Sequence, residues 1–385
     1  MAKNNTSIVF TGDIGFDKYM EGKWEDENLL SQSVLDFLHN ADHVCANVEG
    51  ALIDACDDGS LGVLFHSMNT NAAMVLEKMR ADIWSIGNNH AMDAGKEGVI
   101  NTKKNATEMG SKTVGAGVNL SEASAPVYLE EAGGIGMICV SYMVGCVPAT
   151  ATEPGIFRWD DMERIAERIS EIKAKCRWCV VIAHGGEEFA AMPLPYTRNR
   201  YMRYLKMGAD IVVGHHPHVP ENYELFDDGK AIFYSLGNFI FDTDYQRAHL
   251  YTDTGVLLKL RFTEDKWDFD ALGIQLHRGN GRIDTMPLPD IFTNIPAEEY
   301  ERLAPLSAKG FLIEDRRIMC YLEPEKYVGC RQEVWDHYYT QISSYYSKDA
   351  HMDYDVILPL SEKAAEGKWK KSKLDKIKNY ILRQL

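Results

Sequence analysis

The chain has 385 residues, a length that fits one large domain with an appendage or two domains. Its apolar content of 45% and charged content of 25% are ordinary for a globular protein. A net charge of -16, with no acidic run behind it, argues against a nucleic-acid partner, because phosphates would be repelled. It leaves small anionic substrates open, because bound cations reverse the sign locally.

The N-terminus is polar, and its first apolar stretch, Ile8, Val9 and Phe10, is too short for a signal core or a membrane span. The expectation is a cytoplasmic protein with no integral membrane segment. Cysteines stand at 45, 56, 139, 146, 176, 179, 320 and 330. Dispersed in this way, they are expected to be reduced thiols rather than a disulfide framework. Cys176 and Cys179 form one C-x-x-C, but a zinc ribbon needs a second pair.

Strands are expected over 7–10, 43–46 and 83–86, alternating with helices over 29–39, 71–80 and 98–109. In the second helix Ala72, Val75, Leu76 and Met79 recur at one-face spacing. Next come a strand over 136–142, a helix over 160–175, a strand over 179–183, a helix over 196–207 and a strand over 211–213. The style then changes. Asp227, Asp228 and Gly229 form a hairpin turn, followed by strands over 231–240, 255–263 and 267–277. Strand–helix repeats followed by a β-rich segment predict an α/β fold with stacked sheets and helices outside. The proline-containing stretch 284–297 reads as a linker closing a domain over 1–285. Residues 298–385 read as a mainly helical C-terminal extension, with Leu374, Ile377, Ile381 and Leu385 on one face.

Chemistry collects at the strand ends. They carry Asp13; Asn47 and Glu49; Asn88, Asn89 and His90; His184; then His215, His216 and His218. A parallel sheet brings such positions to one edge. Oxygen and imidazole donors in this number suit a pair of divalent cations, with a carboxylate to offset charge.

These residues sit in a recognisable series. Thr11-Gly12-Asp13, Asn47-Val48-Glu49-Gly50, Gly87-Asn88-Asn89-His90-Ala91-Met92-Asp93-Ala94-Gly95, His184-Gly185-Gly186-Glu187-Glu188, Gly214-His215-His216-Pro217-His218 and Ser235-Leu236-Gly237-Asn238-Phe239 follow in order. The series, over about residues 6–265, resembles the CapA family of poly-γ-glutamate capsule-biosynthesis proteins, a branch of the calcineurin-like metallophosphoesterase superfamily. The resemblance implies a four-layer α/β/β/α sandwich with two divalent metal ions, manganese, zinc or iron.

Carried over by motif, Asp13 ligates the first metal, Glu49 bridges, Asn89 ligates the second, and His184, His216 and His218 complete the shells. His90 faces substrate and protonates the leaving oxygen, with Asp93 holding its other ring nitrogen. Asn88, Glu188, His215 and Asn238 are expected to contact substrate or support the ligands. Two departures stand out. Gly15 replaces the histidine of the superfamily's opening Asp-x-His, and Glu49 stands where an aspartate is usual. The implied activity is metal-dependent hydrolysis of a phosphoester or related bond, on a small anionic or phosphorylated substrate or a γ-glutamyl polymer. A non-catalytic accessory of polymer assembly or export, and a γ-glutamyl amidase, remain as alternatives. Relatives in this family are often membrane-anchored, whereas no anchor is expected here. Specificity is expected in loops 54–69 and 143–156 and in the tail.

Overall fold

The computed structural model of the chain describes residues 4–53, 66–142, 146–190, 192–193, 195–247 and 249–300. The expected helical extension lies outside the described residues from 301 onward.

Two sheets carry the domain. One has the order Ile283–Met286, Trp267–Leu276, Thr254–Thr263, Asn5–Ile14, His43–Val48, Ile83–Ser85, Lys112–Val114. From Asn5–Ile14 onward its strands are parallel, and the three before it are antiparallel. The other has the order Tyr223–Leu225, Ala231–Phe233, Ile211–His215, Trp178–Gly185, Ile135–Tyr142, Val127–Leu129. Its four central strands are parallel and its edges antiparallel.

Alternation along the strands assigns the layers, because successive side chains of a strand point to opposite faces. Ile8 and Phe10 share a core with Val180 and Ile182 of the other sheet. Val9, between the first two, belongs to a second core with Val34, Leu38 and Val99 from the flanking helices. On the far side Cys179, Val181 and Ala183 meet Ile165, Ile169 and Ile172 of the helix Met162–Lys175. The result is helix, sheet, sheet, helix, as expected. That last helix has its three isoleucines on one face. The Asp161 side chain accepts from the Arg164 N–H at its start, and Lys173 and Lys175 stand in its last turn.

Two expectations change. The run 231–240 is not one strand. Ala231–Phe233 belongs to the six-stranded sheet, and Asn238–Ile240 pairs with the end of Asn5–Ile14 in the other. The chain crosses between sheets at 234–237, where Gly237 takes φ +69°. Continuous burial concealed the crossover, since both halves lie inside. The proline-containing stretch 284–297 is not a free linker either. Ile283–Met286 completes a sheet edge, and Ile291, Phe292 and Ile295 are buried against the body. Three prolines mark irregular backbone there, but irregular backbone can still pack.

Close backbone approach at the crossover demands glycine. A Cβ on Gly214 would lie 1.9 Å from the Tyr234 carbonyl oxygen. A backbone carbonyl cannot swing away like a side chain. Gly214→Ala is therefore expected to cost about 3 kcal/mol, the upper range for overpacking. The shift of the urea midpoint checks this, and an unchanged midpoint contradicts it.

Candidate metal centre

The parallel strands end at one edge, and register aligns their chemistry. Asp13 stands opposite Asn47 on one side and Asn238 on the other. Asn47 stands opposite Ser85, the last residue of its strand and three residues before Asn88, which with Asn89 and His90 lies in the loop that follows. In the second sheet His184 stands opposite His215. A Cβ on Gly12 would lie 2.2 Å from the Gly237 carbonyl oxygen, so only glycine lets the crossover bring Asn238 to Asp13. His216 and His218 adopt φ of +97° and +60°. Side chains rarely take such values. The surrounding structure holds that strain and aims both imidazoles at the same place.

All six expected ligands converge. Asp13, Glu49, Asn89, His184, His216 and His218 are buried. Glu49 Oε1 lies 3.6 Å from His184 Nε2 and 3.7 Å from His218 Nε2. His218 Nδ1 lies 3.1 Å from Asp13 Oδ2, and Asn89 Oδ1 lies 2.9 Å from His184 Nε2. Two sets of ligand atoms, each mutually within 4.8 Å, share Glu49. One is Asp13, Glu49 and His218, and the other is Glu49, His184 and His216. A third set, Glu188, His216 and His218, overlaps them on the more open side.

The donor atoms test whether a cation fits. Both carboxylate oxygens of Glu49, both ring nitrogens of His216, Asp13 Oδ2 and Asn47 Oδ1 are buried without a hydrogen-bond partner. Unpaired buried polar groups each cost a few kcal/mol, and charged ones more. Oxygen and imidazole donors left open around one point fit divalent cations of the manganese, iron or zinc type.

The charges agree. Burial and the neighbouring His184 and His218 hold the His216 imidazole well below its usual range, so it stays neutral with a lone pair free. Burial opposes a charge on His218, but Glu49 and Asp13 overcome it and carry its pKa up to about 10. Burial likewise opposes a charge on Glu49, and His218 with His184 holds it well below the ordinary carboxylate range. In the metal-free protein a proton thus occupies part of the space a cation would fill. A cation must displace it. Apparent metal affinity is therefore expected to rise with pH by roughly tenfold per unit per displaced proton, up to the point near pH 10 where His218 deprotonates unaided. Metal titrations at two pH values near neutrality check this. Equal affinities would show that no proton is exchanged.

Around the ligands the structure places the other expected site residues. His90 Nδ1 lies 2.7 Å from Asp93 Oδ2, as expected. The Asn88 side chain donates to the Val48 carbonyl at 2.7 Å and accepts from the His90 N–H at 3.0 Å, which shapes the loop. Asn238 Oδ1 lies 3.0 Å from His218 Nδ1, and its amide donates to the Thr252 carbonyl at 2.8 Å. His215 Nε2 donates to the Thr11 carbonyl at 2.9 Å, tying the two sheets together. Glu188, half-buried, accepts from the Tyr245 hydroxyl at 2.8 Å and lies 3.8 Å from His216. Asn47 has a larger part than its motif suggested, since its amide donates to Asp13 Oδ1 at 2.7 Å. His66 and Asp17 also belong at the site and were missed. Asp17 stands three residues past the end of Asn5–Ile14, beyond the motif at Asp13, and His66 precedes its strand rather than following one, so the strand-end reading did not single them out.

Residues 7–243 match the family described as bacterial capsule synthesis protein PGA_cap. The chain belongs to this family. It is 30% identical over 300 residues to the PGA biosynthesis protein CapA of Bacillus subtilis (strain 168), covering 76% of this chain and 73% of that one. It is 29% identical over 225 residues to the capsule biosynthesis protein CapA of Bacillus anthracis, covering 56% of this chain and 54% of that one. A crystal structure of TT1561 from Thermus thermophilus covers 69% of this chain and 98% of that one at 10% identity, with a TM-score of 0.37, and adds nothing to the fold described above. The family places the chain in capsule synthesis. Among the described residues, no helix is long and apolar enough to cross a membrane.

Proposed function

We propose that this PGA_cap protein is a metal-dependent hydrolase of capsule or poly-γ-glutamate metabolism, acting on a phosphoester or related bond. One observation carries the reading. Glu49 is fully buried, neither of its oxygens accepts a hydrogen bond, and it belongs to two separate ligand sets. A carboxylate so placed is suited to bridge two cations.

Asp13, Glu49 and His218 would hold the first ion, and Glu49, Asn89, His184 and His216 the second. When bound, such a pair polarises an ester oxygen and supplies acidified water at neutral pH. The chain's own residues do the rest. Asn47 and Asn238 fix Asp13 and His218 through their amides. Asp93 orients His90, leaving Nε2 to give its proton to the departing oxygen. The substrate is a small anionic or phosphorylated compound, or a γ-glutamyl polymer. The free thiols of Cys45, Cys139, Cys176 and Cys179 support a cytoplasmic setting.

The test is elemental analysis with a hydrolysis panel of phosphomonoesters, phosphodiesters and γ-glutamyl peptides. About two divalent ions per chain and turnover of a phosphate ester are expected. Release of glutamate instead would assign an amidase. Metal binding without cleavage across the panel would favour the accessory reading, in which the site captures an anionic polymer or precursor. Gly15 lends that second reading some weight. A Cβ there would lie 2.6 Å from the Phe241 ring, so position 15 offers the first ion no donor.

A further inference from the structure

His66 is the side chain at this site that nothing above employs. Its backbone is fixed from three directions. Ser67–Met68 pairs in parallel with Ala51–Leu52, which begins two residues after Glu49. The Ala51 N–H donates to the His66 carbonyl at 3.4 Å. Gly50 at φ +123° lets the two segments close, since a Cβ there would lie 3.0 Å from that carbonyl oxygen. The His66 N–H donates to Asp93 Oδ2 at 2.8 Å, the same oxygen that holds His90 Nδ1 at 2.7 Å. One carboxylate oxygen therefore positions both histidines.

The side chain is equally constrained. His66 Nδ1 is bonded to Asp17 Oδ2, and Asp17 Oδ1 is buried without a partner. The rings of His66 and His90 meet edge to face, with centroids 4.2 Å apart. Phe241 stands between His66 and the ligand His218, with ring centroids 5.3 Å and 5.0 Å away. The two imidazoles thus form matching pairs, Asp17 with His66 and Asp93 with His90. In each the carboxylate takes Nδ1 and leaves Nε2. The His66 side chain keeps 20% of its surface against 9% for His90, so it is the outer member. Burial works against a charge on His66, while the Asp17 bond, with Asp17 and Glu49 nearby, more than offsets it.

A structural tie alone would not require a second carboxylate-held, partly exposed imidazole beside the proton donor. We propose that His66 contacts substrate, with its Nε2–H holding a non-bridging phosphoryl oxygen while His90 protonates the leaving oxygen. Asp17 is its positioning residue. The inference rests on the hydrolytic reading for its geometry, and its test separates the two.

Metal-loaded wild type, His66→Ala, His66→Gln and Asp17→Asn are titrated calorimetrically with inorganic phosphate. KM and kcat are measured on whichever phosphate ester is turned over. Metal content and melting temperature are followed in parallel, and His66→Gln keeps a polar side chain of similar length should alanine disturb the loop. Both His66 variants are expected to bind phosphate about tenfold to a hundredfold more weakly, the worth of one charge-assisted hydrogen bond. KM should rise by a similar factor and kcat change less than about threefold. Asp17→Asn should fall between. Phosphate affinity within twofold of wild type in both His66 variants would overturn the proposal. So would loss of bound metal in His66→Gln, or a metal-loaded wild type that binds no phosphate. Phosphate binding that depends on His66 in a protein that cleaves nothing would remove the hydrolytic reading and leave His66 its role. Turnover with KM indifferent to His66 would do the reverse.

Discussion

Glu49→Gln is expected to empty both halves of the metal site and to lower hydrolysis by about 10³-fold or more. The magnitude follows from what the carboxylate does. It would contribute a negative charge to two cations at once, and the positive charge such ions would bring to the reacting oxygen is worth several kcal/mol. About 4 kcal/mol corresponds to three powers of ten in rate. Glutamine keeps the shape and one acceptor oxygen but loses the charge. It would also take from His218 the larger of the charges that balance it, so the metal-free site should rearrange its protons. Glu188→Gln is the natural comparison, because Glu188 also shares a ligand set with His216 and His218. Glu188 differs in being half-buried and held by Tyr245. Elemental analysis of the two variants decides between them. Two ions retained in Glu49→Gln, with loss in Glu188→Gln, would move the centre to the outer set and end the bridging assignment.

Much of this centre was legible in the sequence because strand ends are legible. An apolar run closed by glycine, as at 211–214, announces a buried strand and its exit loop. Parallel topology then puts successive exit loops on one edge. That logic gathered Asp13, Asn47, Glu49, Asn88, Asn89, His90, His184, His215, His216 and His218; the family resemblance singled out Asp13, Glu49, Asn89, His184, His216 and His218 as ligands, and the structure brings those six together. It could not weigh the supporting shell. Asn88, His215 and Asn238 sit in the same blocks as the ligands, yet their side chains bond to loop backbone, to Thr11 and to His218 respectively. Motif membership says that a residue is near a site. Only geometry says what its polar atoms touch. His66 escaped because nothing periodic leads up to it, and its pairing with 51–52 depends on a Gly50 conformation that the sequence does not spell out. The crossover at 234–237 escaped for the opposite reason. Residues 231–240 are buried throughout, Ser235 and Asn238 included, so no exposed position marks where one sheet ends and the other begins.

His90→Ala should keep both ions and lose turnover by about 10² to 10⁴-fold, the usual worth of a positioned general acid. His90 touches the site through its position, not through ligation. It stands outside the three ligand sets, and its Nδ1 is already committed to Asp93. Asp93→Asn leaves the imidazole in place but removes the charge that fixes its orientation and supports a proton on Nε2. A loss of about 10 to 100-fold is expected, typical of a partner one bond removed from the chemistry. Because Asp93 Oδ2 also accepts the His66 N–H, Asp93→Asn should weaken phosphate binding as well, whereas His90→Ala should spare it. The leaving group provides the sharper measurement. A nitrophenolate departs without a proton, while an alkoxide needs one. The His90→Ala defect should therefore be large on an alkyl phosphate ester and small on the nitrophenyl ester of the same acid, with equal metal content in both assays. A defect of the same size on both esters would mean that His90 organises the site rather than donating the proton, and the acid would have to be sought elsewhere, with His66 the next candidate.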